Sequence, residues 1–434
     1  MAGGTWTAQN KVRPGAYVNV KSNGNVGTSG TTNGIMTLPL VLDFGPEGTI
    51  VEVSGTSDLT AFGYDLGNEK MLLLREALKQ AATVLLYRIG TGVKATVTEG
   101  TVSVTALFGG VRGNDINVAS KANVNAPGSF DVETYVAGRL VDAQTVKTAE
   151  ELKANRVVEF SGTGEMTAFS VSLEGGTNTA ATVDDYMTYF SKIQVFDFNT
   201  MALPISDEAI KAAGASFIKR MRDEEGKKCQ LVVAGYSADS EAIISVKNGV
   251  ILSDGTTISA EQATAWVAAV SAAAGVATSL TYKKYDGAID VTQRFVNSEI
   301  ISALQKGEFL FTEKRGEAVI EQDINSLSTF TSEKGQDFSK NRVLRVLDDI
   351  ANNSKKTFED NYIGKVNNDQ DGRELFKANR ITYFDSLQAA GAIANFVADD
   401  ISVESGEAKD SVVLMVAVQP IDAMEKLYMT VQVV

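Results

Sequence analysis

The sequence lacks the side chain on which most acid–base, nucleophilic and zinc chemistry is built: its 434 residues contain no histidine. Ser-His-Asp and Cys-His nucleophiles and histidine-held zinc are therefore all excluded. The single cysteine, Cys229, can form neither an intrachain disulfide nor a thiolate metal cluster, which is compatible with a reducing compartment without establishing one, and it reads as a buried strand thiol. Carboxylates and glycine loops are what remain. The pairs Asp184-Asp185, Asp348-Asp349 and Asp399-Asp400 have the composition of a Mg²⁺ or Ca²⁺ site or of an acid–base couple. The first two, however, open or ride on helices, where carboxylates favour the N-terminal dipole or solvate a face. Residues 286–290 lack the spacing of a calcium loop, and Gly109-Gly110-Val111-Arg112-Gly113 lacks both the Gly-Lys-Ser/Thr ending and the long helix of a phosphate loop. A β-turn is the better reading there. The expectation is no catalytic residue, no metal and no cofactor.

Charge narrows the partners. There are 54 acidic and 40 basic residues, a net charge of -14, so nucleic acid and anionic membrane surfaces are both disfavoured. With 44% hydrophobic residues, 38 glycines and 6 prolines, the composition is that of a turn-rich globular protein. The most apolar stretch, residues 266–280, is shorter than the ~20 residues a bilayer requires, and reads as a buried helix. Residues 1–10 have no apolar core, so no secretory signal is expected.

The elements that would position these residues follow from periodicity. Residues 16–20 alternate like a strand, and a Gly/Asn/Ser/Thr leash over 22–34 follows. Strands are expected over 38–42, 48–53 and 83–89, with a helix over 69–82 that aligns Met71, Leu74, Leu78 and Ala81. From 90 to 176 short Val/Thr runs alternate around glycine turns, which argues for a β-sandwich inserted into an α/β chain. Helix and strand then alternate: a capping box of Thr182 and Asp185 opens a helix to about 191, a strand covers 193–199, and Ser206 caps a helix ending near 226. Strands at 230–234 and 250–252 and a helix from Ser259, with Gln262 at its third position, extend a parallel sheet covered on both faces. Beyond a Ser/Thr loop at 326–332, helices are expected over 340–358 and 373–394 and strands over 411–418 and 426–434. Basic residues gather at Lys355, Lys356, Lys377 and Arg380.

Both ends of the chain thus read as strands without a hairpin partner, which leaves backbone groups unpaired unless a sheet edge receives them. Another subunit can supply that edge by strand addition. At a net ~0.5 to 1.5 kcal/mol per hydrogen bond, one such strand contributes a few kcal/mol, and a polymer repeats the gain at every subunit.

Several blocks carry a resemblance. They are Ala2-Gly3-Gly4-Thr5-Trp6-Thr7 with Asn10-Lys11-Val12-Arg13-Pro14-Gly15, residues 109–116 (GGVRGNDI), and Leu173-Glu174-Gly175-Gly176-Thr177-Asn178. Glu321-Gln322-Asp323-Ile324-Asn325-Ser326-Leu327 and residues 338–348 (FSKNRVLRVLD) complete the set. In order, over nearly the whole chain, they resemble the tail sheath proteins of contractile bacteriophages and related phage-tail-like particles, in the branch found in Gram-positive hosts. The resemblance implies a multidomain α/β chain: a subtilisin-like α/β domain with an inserted β-sandwich, an α+β C-terminal domain and terminal β-strand arms. Its expected divisions are an arm and linker at 1–33, the first part of the α/β core at 34–90, the sandwich at 91–178, the subtilisin-like domain at 179–325, the C-terminal sheath domain at 326–425 and an arm strand at 426–434.

The resemblance further implies hexameric rings stacked around a tail tube, whose contraction drives the tube through the cell envelope without nucleotide hydrolysis. The expected partners are the chain itself, the tail tube protein, and baseplate and tail terminator proteins, in a virion tail or tail-like particle assembled in the host bacterial cytoplasm. The inter-subunit arms would be Val12, Ala16, Tyr17, Val18, Asn19 and Val20 at one end and Leu427, Tyr428, Met429, Thr430, Val431, Gln432, Val433 and Val434 at the other. Lys355, Lys356, Lys377 and Arg380 would face the tube, where contacts of ~0 to 1 kcal/mol each allow sliding. A surface-layer or adhesin subunit would polymerise too but should carry an export signal. A carboxylate hydrolase would need an acidic cleft with a raised-pKa acid.

Overall fold

Short strands rich in Val and Thr bury one face each, and between 92 and 178 they do so as two facing sheets. In the computed structural model, which describes residues 2–4, 15–17 and 34–433, one four-stranded sheet runs in the order Val158–Gly162, Val102–Gly109, Gly92–Glu99, Thr177–Asn178. The other runs Arg139–Val146, Phe130–Val136, Ile116–Ala122, Phe169–Ser172. Val102, Val104, Ala106, Ile116, Val118, Val132 and Val136 form the core between them, at the alternate positions that a pleated strand turns inward. The expected sandwich is present.

These strands belong to one of two compact units, residues 37–78 with 83–195. The same unit holds Ile50–Val53 paired antiparallel to Thr83–Ile89, helix α1 (Leu72–Leu78) after a 3₁₀ turn at Glu69–Met71, and helix α2 (Val183–Ile193). The GGVRGNDI block is the weld between sandwich and strands. A Cβ on Gly109 would lie 1.9 Å from the Gly92 carbonyl oxygen, and one on Gly110, at φ 128, would lie 1.8 Å from that of Asp43. Only glycine fits so close a backbone crossing. The buried Arg88 side chain ties the crossing together, donating to the carbonyls of Leu42 (3.1 Å), Gly45 (2.7 Å) and Gly109 (2.8 Å).

The second unit comprises 79–82 and everything from 196 onward, with the described residues before 37. Thr200–Ala202, Gln230–Ala234, Ile243–Val246 and Glu308–Phe309 pair in that order, all parallel. Every residue of Gln230–Ala234 is buried, the mark of a strand covered on both faces, and helices α3 (Glu208–Asp223) and α4 (Ala260–Ala273) pack on it. The Ser259–Gln262 capping box opens α4 as expected, and Ala263, Ala265, Trp266, Ala268, Ala269 and Ala272 on it are buried. Helix α5 (Asn297–Gln305) precedes the last parallel strand. Helices α6 (Asn341–Asn361) and α7 (Gln370–Ala389) and the antiparallel hairpin of Ile401–Ser405 with Val412–Val416 complete the unit. Among the described residues no helix is long and apolar enough to cross a membrane.

Three expectations need correction. The strand over 193–199 is absent: Tyr186, Tyr189, Phe190 and Ile193 share a buried helical face, which carries α2 through that position, and the strand is Thr200–Ala202. Asp207 rather than Ser206 caps α3, accepting from the amides of Ala209 and Ile210, because a carboxylate also complements the helix dipole. Val250–Leu252 pairs antiparallel with Thr257–Ile258 and Ala288–Val291 instead of extending the parallel sheet. Residues 426–433, expected as a strand that a neighbouring subunit receives, have no strand partner among the described residues of the single chain.

Candidate functional site

Two of the blocks that stood out in sequence, 321–327 and 338–348, meet. Asp323, 1% exposed, is held by the Leu280 amide (3.0 Å), the Asn341 side-chain amide (3.1 Å) and the Arg345 guanidinium (2.6 Å). A buried carboxylate requires such compensation. Asn325 donates to the Phe338 carbonyl at 2.8 Å, and Asp348 receives a two-pronged contact from Arg222 at 2.7 and 2.8 Å. Arg222 also donates to the carbonyl of Cys229, whose buried thiol is pushed up to about 12 and is inert as a nucleophile.

This polar hub grips the root of the C-terminal segment. Residue 417 donates its amide to Asp400, Ile421 donates to the Ala392 carbonyl at 3.0 Å, and Arg342 donates to the Ile421 carbonyl. Lys340 pairs with Asp422 at 3.2 Å and with Glu425. The Glu425 carboxylate also accepts from Thr281 and Gln322, each at 2.7 Å. From 421 to 425 the odd-numbered residues are half-buried and the even-numbered ones exposed, the alternation of an extended chain lying on a surface; from 426 to 433 every residue is exposed. Leu427 (85%), Tyr428, Met429, Thr430, Val431, Gln432 and Val433 (96%) face solvent. Leu427, Met429, Val431 and Val433 continue the inward phase of Ile421 and Glu425 as an apolar row.

At the other end, Gly15–Tyr17, carrying Ala16 and Tyr17, pairs parallel with Ala2–Gly4 and lies against α6. The described part of that arm therefore has a local partner the sequence did not suggest. Val12, Val18, Asn19, Val20 and Val434 lie outside the described residues.

The four basic residues do not form one face. Lys355 is buried, donates to the Glu225 carbonyl at 2.7 Å, and burial pushes its pKa down. Arg380 is buried too, bonded to Asn353 (2.9 Å), Ser354 (3.3 Å) and Thr357 (3.0 Å), so it staples α7 to α6. Neither can serve as a surface cation, which corrects the expectation for both. Lys356 is exposed and paired with Asp360 one turn on, and Lys377 is half-exposed. Helical spacing carried the signal: Phe376, Arg380 and Phe384 recur every four residues, as do Leu347, Ala351 and Lys355, each set on a buried stripe.

The acid pairs are spent on structure. Asp185 caps α2, Asp349 accepts from the Tyr383 hydroxyl at 2.7 Å, and Asp400 accepts from the Val397 amide. Among the described residues no three Cys, Asp or Glu side chains converge on a metal site. What sequence reasoning missed is the root itself: Gln322 and Lys340 lie in the two blocks, but Thr281 and Glu425 lie outside every block and join them only in the fold.

Comparison with known proteins agrees along the whole chain. Residues 33–89 match the N-terminal region of domain III of the tail sheath protein Gp18, 90–179 the phage tail sheath protein beta-sandwich domain, 179–326 its central domain and 333–434 its C-terminal domain. The chain is 40% identical to the phage-like element PBSX protein XkdK of Bacillus subtilis, over the full length of both. The crystal structure of a sheath tail protein from Desulfitobacterium hafniense superposes with a TM-score of 0.84 at 45% identity, covering 96% of this chain and 99% of that one. The contracted helical sheath of the anti-feeding prophage shares the fold at 14% identity, with a TM-score of 0.57 over 97% of this chain and 99% of that one.

Proposed function

Because the chain belongs to the phage tail sheath family, we propose that it is joined into its lattice by the exposed C-terminal arm. The protein is a structural subunit of a contractile tail sheath, of a phage tail or tail-like particle, and not an enzyme. In the proposed reading, subunits form hexameric rings around a tail tube, and residues 426–434 add a strand to the C-terminal hairpin of a neighbouring subunit. The subtilisin-like character of the 179–325 region, the chain divisions given above, the donation of 12–20, contacts with tube, baseplate and terminator proteins, and assembly in the host cytoplasm are parts of the same reading. Lys356 and Lys377 are its remaining tube-facing residues.

The observation that carries it is the apolar row Leu427, Met429, Val431 and Val433, fully solvated beyond a root that is pinned. Burying one such side chain yields ~1.5 to 3 kcal/mol, and an extended segment obtains that burial together with its main-chain bonds on a sheet edge. Among the described residues the hairpin Ile401–Ser405 with Val412–Val416 has only two strands, and such a ribbon is marginal by itself and gains from added strands. Deleting 426–434 is expected to leave a folded monomer that forms no striated cylinders by negative-stain microscopy. Cylinders of normal length from the truncated chain would overturn strand donation.

A further inference from the structure

We propose that Glu425 is the mechanical root of the C-terminal arm: a buried-ion clamp that fixes where the arm leaves the body and transmits tension from it into three separate segments of the fold. The proposal rests on the arm reading above and adds to it the device that holds the arm. The Glu425 side chain is 10% exposed, although Met424 and Lys426 on either side of it face solvent. Its two oxygens reach Thr281 from the 280–281 turn, Gln322 from the 321–325 segment and Lys340 at the start of α6. Those three segments are already locked to one another through Asp323, which takes the Leu280 amide, Asn341 and Arg345, while its own amide donates to the Thr281 hydroxyl at 3.1 Å. A pull on the arm at Lys426 is thus met first by one carboxylate, charge-assisted and tied at three points, and then by the Lys340–Asp422 pair, the backbone bond from Ile421 to Ala392 and the hairpin behind it.

The position of the clamp sets the position of the pivot. Alternation of half-buried and exposed residues persists through 425 and stops there, so rotation of the arm is confined to the bonds after Glu425. A pinned root lets the arm swing between two lattice geometries while its attachment point stays fixed, the arrangement a hinge needs. Without the clamp the pivot retreats toward the hairpin, the free segment lengthens, and the effective concentration of the arm at its acceptor falls.

The test uses the full chain as a monomer, with hydrogen exchange read at the amides of 417–425. In Glu425→Ala the Ile421 amide is expected to exchange about tenfold faster or more, with amides of α6 and α7 unchanged. Glu425→Gln, which keeps the shape and loses the charge, should fall between Ala and the parent. Unchanged exchange at Ile421 in Glu425→Ala overturns the clamp. Deleting 426–434 while keeping Glu425 separates the two ideas: protection at Ile421 should persist in that variant. Normal cylinders from it would then sink the arm reading and leave the clamp standing.

Discussion

The β-sandwich and the C-terminal region dispose of apolar strand surface in opposite ways. The sandwich closes on itself: its inner faces interlock, and glycines at 92, 109 and 110 bring backbones to van der Waals contact where its strands meet the crossing at Asp43. The C-terminal region stops short. Its hairpin has two strands, and the segment that follows is apolar at every other residue yet solvated from 426 to 433. One region buries its apolar faces within itself, and the other leaves an apolar row solvated that, in the proposed reading, a neighbouring subunit covers. Stability measured on the monomer should therefore report the first region, and assembly should report the second.

The comparison is tested most severely at Gly110. Alanine there must place a Cβ 1.8 Å from the Asp43 carbonyl oxygen at φ 128, so the crossing has to open, and Arg88 loses its geometry toward Gly109. The expected cost is about 3 kcal/mol or more, read as a drop in the midpoint of urea unfolding. A midpoint within error of the parent would show that the crossing is loose and that the sandwich is not welded to its strands. The weld also means that the inserted sandwich cannot be cut out without cost to the strands beneath it. Replacing it would strip Arg88 of its Gly109 acceptor and Asp43 of the Asn178 amide, 2.9 Å away.

How much of this was legible in sequence depends on the range of the interactions. The sandwich, the Ser259–Gln262 cap and the buried strand 230–234 were readable because alternation, capping and apolar runs are local. The strand placed at 193–199 failed because Ile193 belongs by helical period to the face of Tyr186, Tyr189 and Phe190, and local β-propensity yields to such packing. Lys355 and Arg380 were read by charge, whereas their helical phase puts them inside. The root was illegible for another reason: Thr281, Gln322, Lys340 and Glu425 converge only through the tertiary fold. The family blocks did hold two of its members, Gln322 and Lys340, beside Asp323 and Asn341, and this explains why two stretches of ordinary composition stand out together.

A smaller effect at the root follows from acidity. Burial by itself would raise the Glu425 carboxyl, but the hydrogen bonds from Lys340, Gln322 and Thr281 more than offset it and hold the group below its usual value of 4.5. A depressed folded-state pKa means that the clamp's contribution is complete above the ordinary glutamate value and is lost as pH falls through the depressed one. Protection of the Ile421 amide, corrected for intrinsic exchange, should stay level from neutral pH to about the ordinary glutamate range and decline only below it. Glu425→Gln should show no such decline. Loss of protection at mildly acidic pH in the parent chain would mean that another group controls the root.

The smallest expected effect on the monomer is the one that sharpens the comparison most. Val431 is exposed in the lone chain, so Val431→Thr, nearly the same in shape and still β-branched, changes no buried contact and should shift unfolding by less than ~0.5 kcal/mol. If Val431 is buried on a neighbour's sheet edge in the lattice, the added hydroxyl must be desolvated there at every subunit, a cost of roughly 1 to 3 kcal/mol each. Cylinder formation should then require a several-fold higher subunit concentration, while Gln432→Thr, one position out of phase, should leave assembly close to that of the parent. The pair of variants reads the phase of the arm directly. Equal assembly by both would show that residues 426–433 are not held as a strand with Leu427, Met429, Val431 and Val433 on its buried face.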